Sequence, residues 1–247
     1  MDRLIYTAYS GMTASMVQQR VIANNMANAQ TTGFRAELLV ATPTTIKGTG
    51  LEARAMTDAQ VRGASMKQGD LTETGNPLDI AMTGDTMMAV QAADGTEAYT
   101  RRGDLSVDAN GTLVNGDGLP VLSDNGPITV PPDAKLTVSP DGTVLAADPA
   151  NPGQAPQPIG RVKLASFTGS GVEKGLDGLF RVPGGGVLPT DDDARVMTGS
   201  LEKSNVSPTQ VLVDMVSSQR LFDMRTKMIA TARENDEKSA GLMSLPA

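Results

Sequence analysis

Apolar residues recur every seven positions near the start of the chain. Ile5, Met12, Gln19 and Met26 form one series, and Tyr9, Met16 and Ala23 interleave at the four-residue offset. This spacing predicts one helix over residues 3–29 with a coiled-coil-like seam. Ala8, Ser15 and Ile22 widen the stripe beyond what a two-stranded coil needs. At about 1.5 Å per residue the helix is expected to be roughly 40 Å long. Gly11 stands in its middle, where glycine costs up to about 1 kcal/mol relative to alanine, so a close neighbour is expected there. Gly33 is expected to supply a left-handed C-cap. The cluster Asn24, Asn25 and Asn28 has two readings, fraying and capping of the helix end or polar groups that fix register against a neighbour.

A second helix is signalled from Ser207 to about residue 238. Ser207-Pro208-Thr209-Gln210 reads as a capping box, with Ser at N-cap, Pro at N1 and Gln at N3. Val206 and Val211 occupy the hydrophobic-staple positions. Val211, Met215, Phe222 and Ile229 mark one stripe, broadened by Leu212, Leu221, Met224 and Met228. Each helix has apolar positions on more faces than one partner can cover, which argues for assembly.

The pattern between the helices is different. Residues 34–75 have weak periodicity and read as an extended or loosely β connector. Residues 76–200 read as β-rich: Leu78–Met82 and Leu105–Val107 alternate, and Asn-Gly or Asp-Gly dipeptides such as Asn110-Gly111, Asn125-Gly126 and Asp141-Gly142 mark tight turns. Leu105–Val114 resembles Leu136–Leu145, so two hairpins of one sheet are expected. Residues 148–158 hold four prolines and are expected to form an exposed loop. The resulting expectation is an α+β chain in which long N- and C-terminal helices form a coiled-coil-like helical domain around a central β-rich domain. Its divisions fall at 1–34, 35–75, 76–200 and 201–247.

Composition narrows the chemistry. The 247 residues include no Cys, no His and no Trp, and aromatic residues make up only 3%. No disulfide, thiolate, imidazole base or His/Cys metal site is therefore possible. The core must come from Leu, Val, Ile, Met and Ala. The 14 methionines suit irregular contacts with non-identical neighbours. The net charge of −7, with no cluster of Lys or Arg, disfavours nucleic-acid binding. No run approaches the roughly 20 apolar residues of a membrane span.

Candidate sites are weak. Asp191-Asp192-Asp193 offers ligands for a hard cation, but three consecutive carboxylates rarely converge on one ion, so a solvated loop is expected. Asp108–Gly111 resembles the start of a calcium loop without its later ligands and reads as a hairpin turn. Gly184-Gly185-Gly186 lacks the Lys-Ser/Thr and strand–helix context of a phosphate loop. No catalytic, cofactor-binding or metal residue is assigned, and no enzymatic activity is expected. The residues expected to carry assembly are Ile5, Tyr9, Met12, Met16, Ile22, Ala23, Asn24, Asn25, Met26 and Asn28 on the first helix. Val211, Met215, Leu221, Phe222 and Ile229 complete the set on the second.

Several segments, taken in order, resemble one family. Val21–Arg35, read as VIANNMANAQTTGFR, resembles the N-terminal signature of bacterial flagellar rod and hook proteins, and Ser10-Gly11-Met12 fits the same pattern. Thr74–Asp85, Tyr99–Leu105 and Gly199–Val206 resemble later blocks of that family, and Ser218–Phe222 falls at its Gln-Arg-aromatic step. Two positions depart from it. Thr86-Met87-Met88 stands where Gly-Phe-Phe is usual, and Gln30 where Asn, Ser or Asp is usual. Residues 35–68 lack the Pro/Gly-patterned insert of the distal rod type, so the chain most resembles the proximal rod type.

The resemblance implies a structural subunit of the flagellar basal-body rod, whose termini fold into a helical tube on docking. Its partners would be copies of itself, other rod subunits and the flagellar type III export apparatus. It would reside in the periplasmic basal body after export without a cleaved signal peptide, and would use no cofactor. The alternatives are a distal rod protein or a freestanding β-domain adhesin or ligand-binding module.

Overall fold

The structure is a computed structural model and describes residues 2–45, 55–150 and 153–243. The chain divides into two compact units. One comprises Met1–Ala27, Glu37–Arg62 and Ser207–Ala247, and the other Asn28–Ala36 and Gly63–Val206.

The first unit holds both helices, α1 (Asp2–Ala27) and α2 (Pro208–Met243), and a two-stranded ribbon of β1 (Glu37–Thr45) and β2 (Ala55–Ala64). The start of α2 follows its sequence signals. The Ser207 carbonyl accepts from Val211 N at 3.0 Å, and its hydroxyl oxygen from Gln210 N at 3.5 Å. Only that half of the capping box forms, because the Gln210 amide donates to Asp214 at 2.9 Å instead of reaching back.

The expected α+β class with a coiled-coil-like helical domain is not what folds. The described residues carry eighteen strands and only two helices, and the helices share their unit with a β-ribbon. The helices pack along one another on a face that overlaps the expected seam only in part. Tyr9, Met16 and Ala23 are exposed, while Ser10, Ala14, Ser15, Val21, Ile22 and Asn25 form the buried stripe of α1. On α2, Val211 and Ser218 are buried, and Arg225 follows at the same seven-residue spacing. The period is right and the buried face overlaps the expected one only in part, at Ser15 and Ile22. Small and polar residues let the backbones approach, Tyr9 and Met16 turn outward, and Met12 and Met26 are half-buried.

Gly11 shows the reason. The Arg225 guanidinium donates to the Gly11 carbonyl and the Ser15 hydroxyl. A Cβ built on Gly11 would lie 3.5 Å from Arg225 Nε. The neighbour expected at Gly11 is therefore a long polar side chain in ordinary contact.

The second unit is built from short strands. They are β3 (Leu71–Glu73), β4 (Ile80–Met82), β5 (Thr86–Gln91), β6 (Glu97–Thr100), β7 (Leu105–Val107), β8 (Leu113–Asn115), β9 (Leu122–Ser123) and β10 (Gly126–Pro127). After them come β11 (Lys135–Val138), β12 (Thr143–Ala147), β13 (Gln157–Arg161), β14 (Leu164–Ser166), β15 (Glu173–Lys174), β16 (Phe180–Arg181), β17 (Val196–Thr198) and β18 (Ser200–Glu202). A five-stranded sheet runs in the order β14-β5-β6-β16-β15.

Its second strand, β5, is apolar on both faces. Met88 and Val90 enter one core with Ile80, Leu113, Val144 and Leu164, while Met87 and Ala89 enter a second with Tyr99, Phe180 and Leu188. This double burial explains why Met87-Met88 can replace an aromatic pair, since flexible thioethers fill two differently shaped cores. It also overrides the alternation expected at Leu78–Met82, because Ile80, Ala81 and Met82 are all buried.

The two similar segments fold as hairpins of the same form, β7–β8 and β11–β12, but in different sheets, since only β12 acquires a third strand, β13. In each an aspartate closes the turn. Asp108 accepts from Asn110 N at 2.9 Å and Thr112 N at 2.7 Å, and Asp141 accepts from the Thr143 hydroxyl at 2.7 Å. The incoming strands β3 and β4 pair antiparallel with the outgoing strands β18 and β17. That closure brings together the segment after the β1–β2 ribbon and the segment before α2.

Candidate assembly surface

The residues expected to carry assembly fall into three groups. Tyr9 (61% exposed), Met16 (58%), Ala23 and Met215 stand outward. Met12, Met26, Leu221, Phe222 and Ile229 are half-buried, and Ile22 and Val211 are buried. Ile5 lies on α1, with its side chain outside the described residues. Leu212, Val213, Val216, Met224 and Met228 are also exposed on α2, the last two at 56% each. Val213 and Val216 went unrecognised in the sequence, because only contact with α1 decides which side of α2 remains open.

The asparagine cluster has an internal use. Asn25 is buried and exchanges two hydrogen bonds with the Glu37 backbone, accepting from its N–H at 2.8 Å and donating to its carbonyl at 3.1 Å. Asn24 donates to the Glu37 carboxylate. Asn28 accepts from the Thr31 hydroxyl at 3.1 Å. Two of the three thus fasten the end of α1 to the start of β1.

A buried ionic cluster in the second unit had no counterpart in the sequence reading. Arg35, Arg101 and Glu202 have side chains at most 1% exposed. One Glu202 oxygen pairs with Arg35 Nη2 at 2.8 Å and accepts from Gly69 N at 2.8 Å. The other pairs with Arg101 Nη2 at 2.7 Å and accepts from Arg101 Nε at 2.8 Å. Arg101 also donates to the carbonyls of Met82, Gly84 and Thr86, each at 2.7 Å, and so holds the β4–β5 turn. Arg35 donates to the Lys67 carbonyl. Burial pulls the Arg35 guanidinium down to about 10, with Glu202 opposing and Arg101 reinforcing that shift, so it is charged at neutral pH. Removing one member of such a buried set typically costs about 3–5 kcal/mol, because a charge is left without its partner.

Gly33 belongs to the same region. Its φ is +68°, and a Cβ there would collide with the Arg101 backbone. It lies six residues beyond the last residue of α1, so it is not that helix's C-cap. Its N–H donates to the Glu202 carbonyl at 2.7 Å. Lys174 Nζ sits 3.5 Å from the centroid of the Phe34 ring and donates to the Arg35 carbonyl at 2.9 Å.

The candidate chemical sites resolve into loop structure. Asp192 pairs with Arg161 at 2.8 Å, and Asp191 accepts from Asp193 N at 3.0 Å. No group of three carboxylates converges among the described residues. Gly184 and Gly185 take positive φ in a turn after β16. Among the described residues no helix is long and apolar enough to cross a membrane.

Three family models match the chain. Residues 5–35 match a flagella basal body rod protein model, residues 81–146 a flagellar hook protein FlgE/F/G D1 domain, and residues 197–242 a flagellar basal body rod FlgEFG protein C-terminal model. The FlgF basal-body rod protein of Salmonella typhimurium is 40% identical over 99% of this chain and 100% of its own. That of Escherichia coli is 41% identical with the same coverage. The chain belongs to the flagellar basal-body rod proteins of FlgF type. A FlgG rod protein from Agrobacterium fabrum is 34% identical over 94% of this chain and 96% of its own. The three matched segments each contribute one member of the ionic cluster, Arg35, Arg101 and Glu202 in that order.

Proposed function

We propose that this rod subunit assembles through the outward faces of α1 and α2, packing against copies of itself and other rod subunits in a helical tube. The supporting observation is the row of large apolar residues left open on both helices, from Tyr9 and Met16 to Leu212, Val213, Met224 and Met228. Such surface on a monomer marks an interaction site, and methionine suits a surface that must meet several different neighbours. The terminal segments 1–34 and 201–247 would carry assembly, and residues 76–200 would form the body. The role is structural and involves no catalysis. Membership of the rod family supports passage through the flagellar type III export apparatus and residence in the periplasmic basal body.

The test is co-assembly. Met16→Glu combined with Met228→Glu places charge at two mostly exposed side chains. The double variant should keep the unfolding midpoint of the wild type and lose co-sedimentation with co-expressed rod subunits. Wild-type co-sedimentation by the double variant would refute the role assigned to this face.

A further inference from the structure

We propose that the Arg35–Glu202–Arg101 cluster and Asn205 form a clamp that fixes the roots of both terminal helices independently of the helices themselves. The purpose of the clamp rests on the assembly reading above, whereas its existence does not.

The chain passes between the two units at residues 27/28, 36/37, 62/63 and 206/207. Three segments adjoin these crossings inside the second unit, and all three are laced together. From the segment after α1, Gly33 N donates to Glu202 O at 2.7 Å and Ala36 N to Asn205 Oδ1 at 2.7 Å. From the segment after the ribbon, Ser65 N donates to Ala36 O at 2.7 Å and Gly69 N to the Glu202 carboxylate at 2.8 Å. From the segment before α2, Asn205 N donates to Phe34 O at 3.2 Å, and its side-chain amide to Ser65 O at 2.9 Å and Lys67 O at 2.8 Å.

Glu202 is the hinge of this network. Its two oxygens serve Arg35, Gly69 and Arg101, and Arg101 in turn grips the β4–β5 turn. None of these bonds uses a residue of α1 or α2. The roots are therefore fixed by bonds within the β-unit alone, so their order does not depend on the packing of α1 against α2. Two buried arginines around one carboxylate make the arrangement all-or-none, since loss of the carboxylate leaves like charges facing each other.

Amide hydrogen exchange on the isolated full chain tests the clamp. In the wild type the amides of Gly33, Ala36, Gly69 and Asn205 should exchange at least about tenfold more slowly than those in the middle of α1 and α2. Asn205→Ala introduces no buried charge, and it should accelerate exchange at Ala36 and its neighbours while leaving Val90 and Leu113 unchanged. Glu202→Gln should extend that loss to Gly33 and Gly69. If Glu202→Gln does not fold, Asn205→Ala decides alone.

Root amides that exchange as fast as the helices in the wild type would overturn the clamp. So would root protection unchanged in Asn205→Ala, or a uniform loss across the whole unit. Failure of co-assembly with the root protection intact would count against the assembly surface and leave the clamp standing.

Discussion

The Tyr99 phenol accepts a hydrogen bond from Leu188 N at 2.6 Å and donates one to Glu97 at 2.7 Å. A single oxygen thereby ties the segment after the Gly184–Gly186 turn to β6, within the smaller of the two cores. Tyr99→Phe keeps the ring packing and leaves a buried N–H unpaired. It should lower the unfolding free energy by about 1–3 kcal/mol in denaturant titration.

The same phenol has an alkaline signature. Burial, and then the hydrogen bond to Glu97, push it above its ordinary value of about 10. A group raised in the folded state contributes stability that is complete below its unfolded pKa and is lost as pH rises through the folded value. Between about pH 9 and 11, wild-type stability should therefore fall more steeply than that of Tyr99→Phe, measured as paired unfolding midpoints. Parallel curves would show that the phenol is no longer buried as described.

Gly11→Ala separates two reasons for a mid-helix glycine. Within the subunit the new methyl meets Arg225 Nε at 3.5 Å, an ordinary contact. The isolated chain should gain up to about 1 kcal/mol in helix stability, read by circular dichroism. Loss of co-assembly in the same variant would assign the glycine to a neighbouring subunit.

Gly33→Ala should behave in the opposite way. A side chain there must adopt φ near +68° and displace the Arg101 backbone. The expected cost is at least about 2 kcal/mol, from left-handed strain and overpacking together. Gly153→Ala is the control, because its Cβ would meet open space without positive φ, and it should be silent.

At the β15–β16 turn, Asp177 receives two bonds from Arg181, at 2.7 and 3.1 Å. That pairing, with the Leu179 N–H adding to it, holds the Asp177 carboxyl below its ordinary value, against the opposing effect of its partial burial. Its contribution is present above the unfolded carboxylate pKa and is lost as pH falls through the lower folded value. Carboxyl chemical shifts should show Asp177 titrating below a free aspartate, and Arg181→Gln should return it to the ordinary range. A normal titration in the wild type would remove the pair from the solution structure.

Local signals were legible wherever a few neighbouring residues decide the outcome. Ser207-Pro208 started α2, the Asn-Gly and Asp-Gly turns closed their hairpins, and the seven-residue period of α1 was real. The open face of α1 was misread at Tyr9, Met16 and Ala23 because the period does not say which side meets α2. That side was chosen by Arg225, more than two hundred residues away in sequence, which favours small neighbours such as Gly11 and Ser15. The β-rich body was foreseeable, but its sheet membership was not, since β7–β8 and β11–β12 share a pattern and differ only in the strands that reach them.

The order of its motifs determined by itself that this chain is a flagellar rod protein with two long terminal helices and a β-rich middle. Such motifs record local turns, caps and periods, which are contained in short stretches of chain. Only the tertiary structure decided that Arg35, Arg101 and Glu202 form one buried cluster. Each is an ordinary charged residue in its own segment, and only the fold brings the three segments to one place, where the Glu202 carboxylate at the end of β18 meets both guanidinium groups away from water.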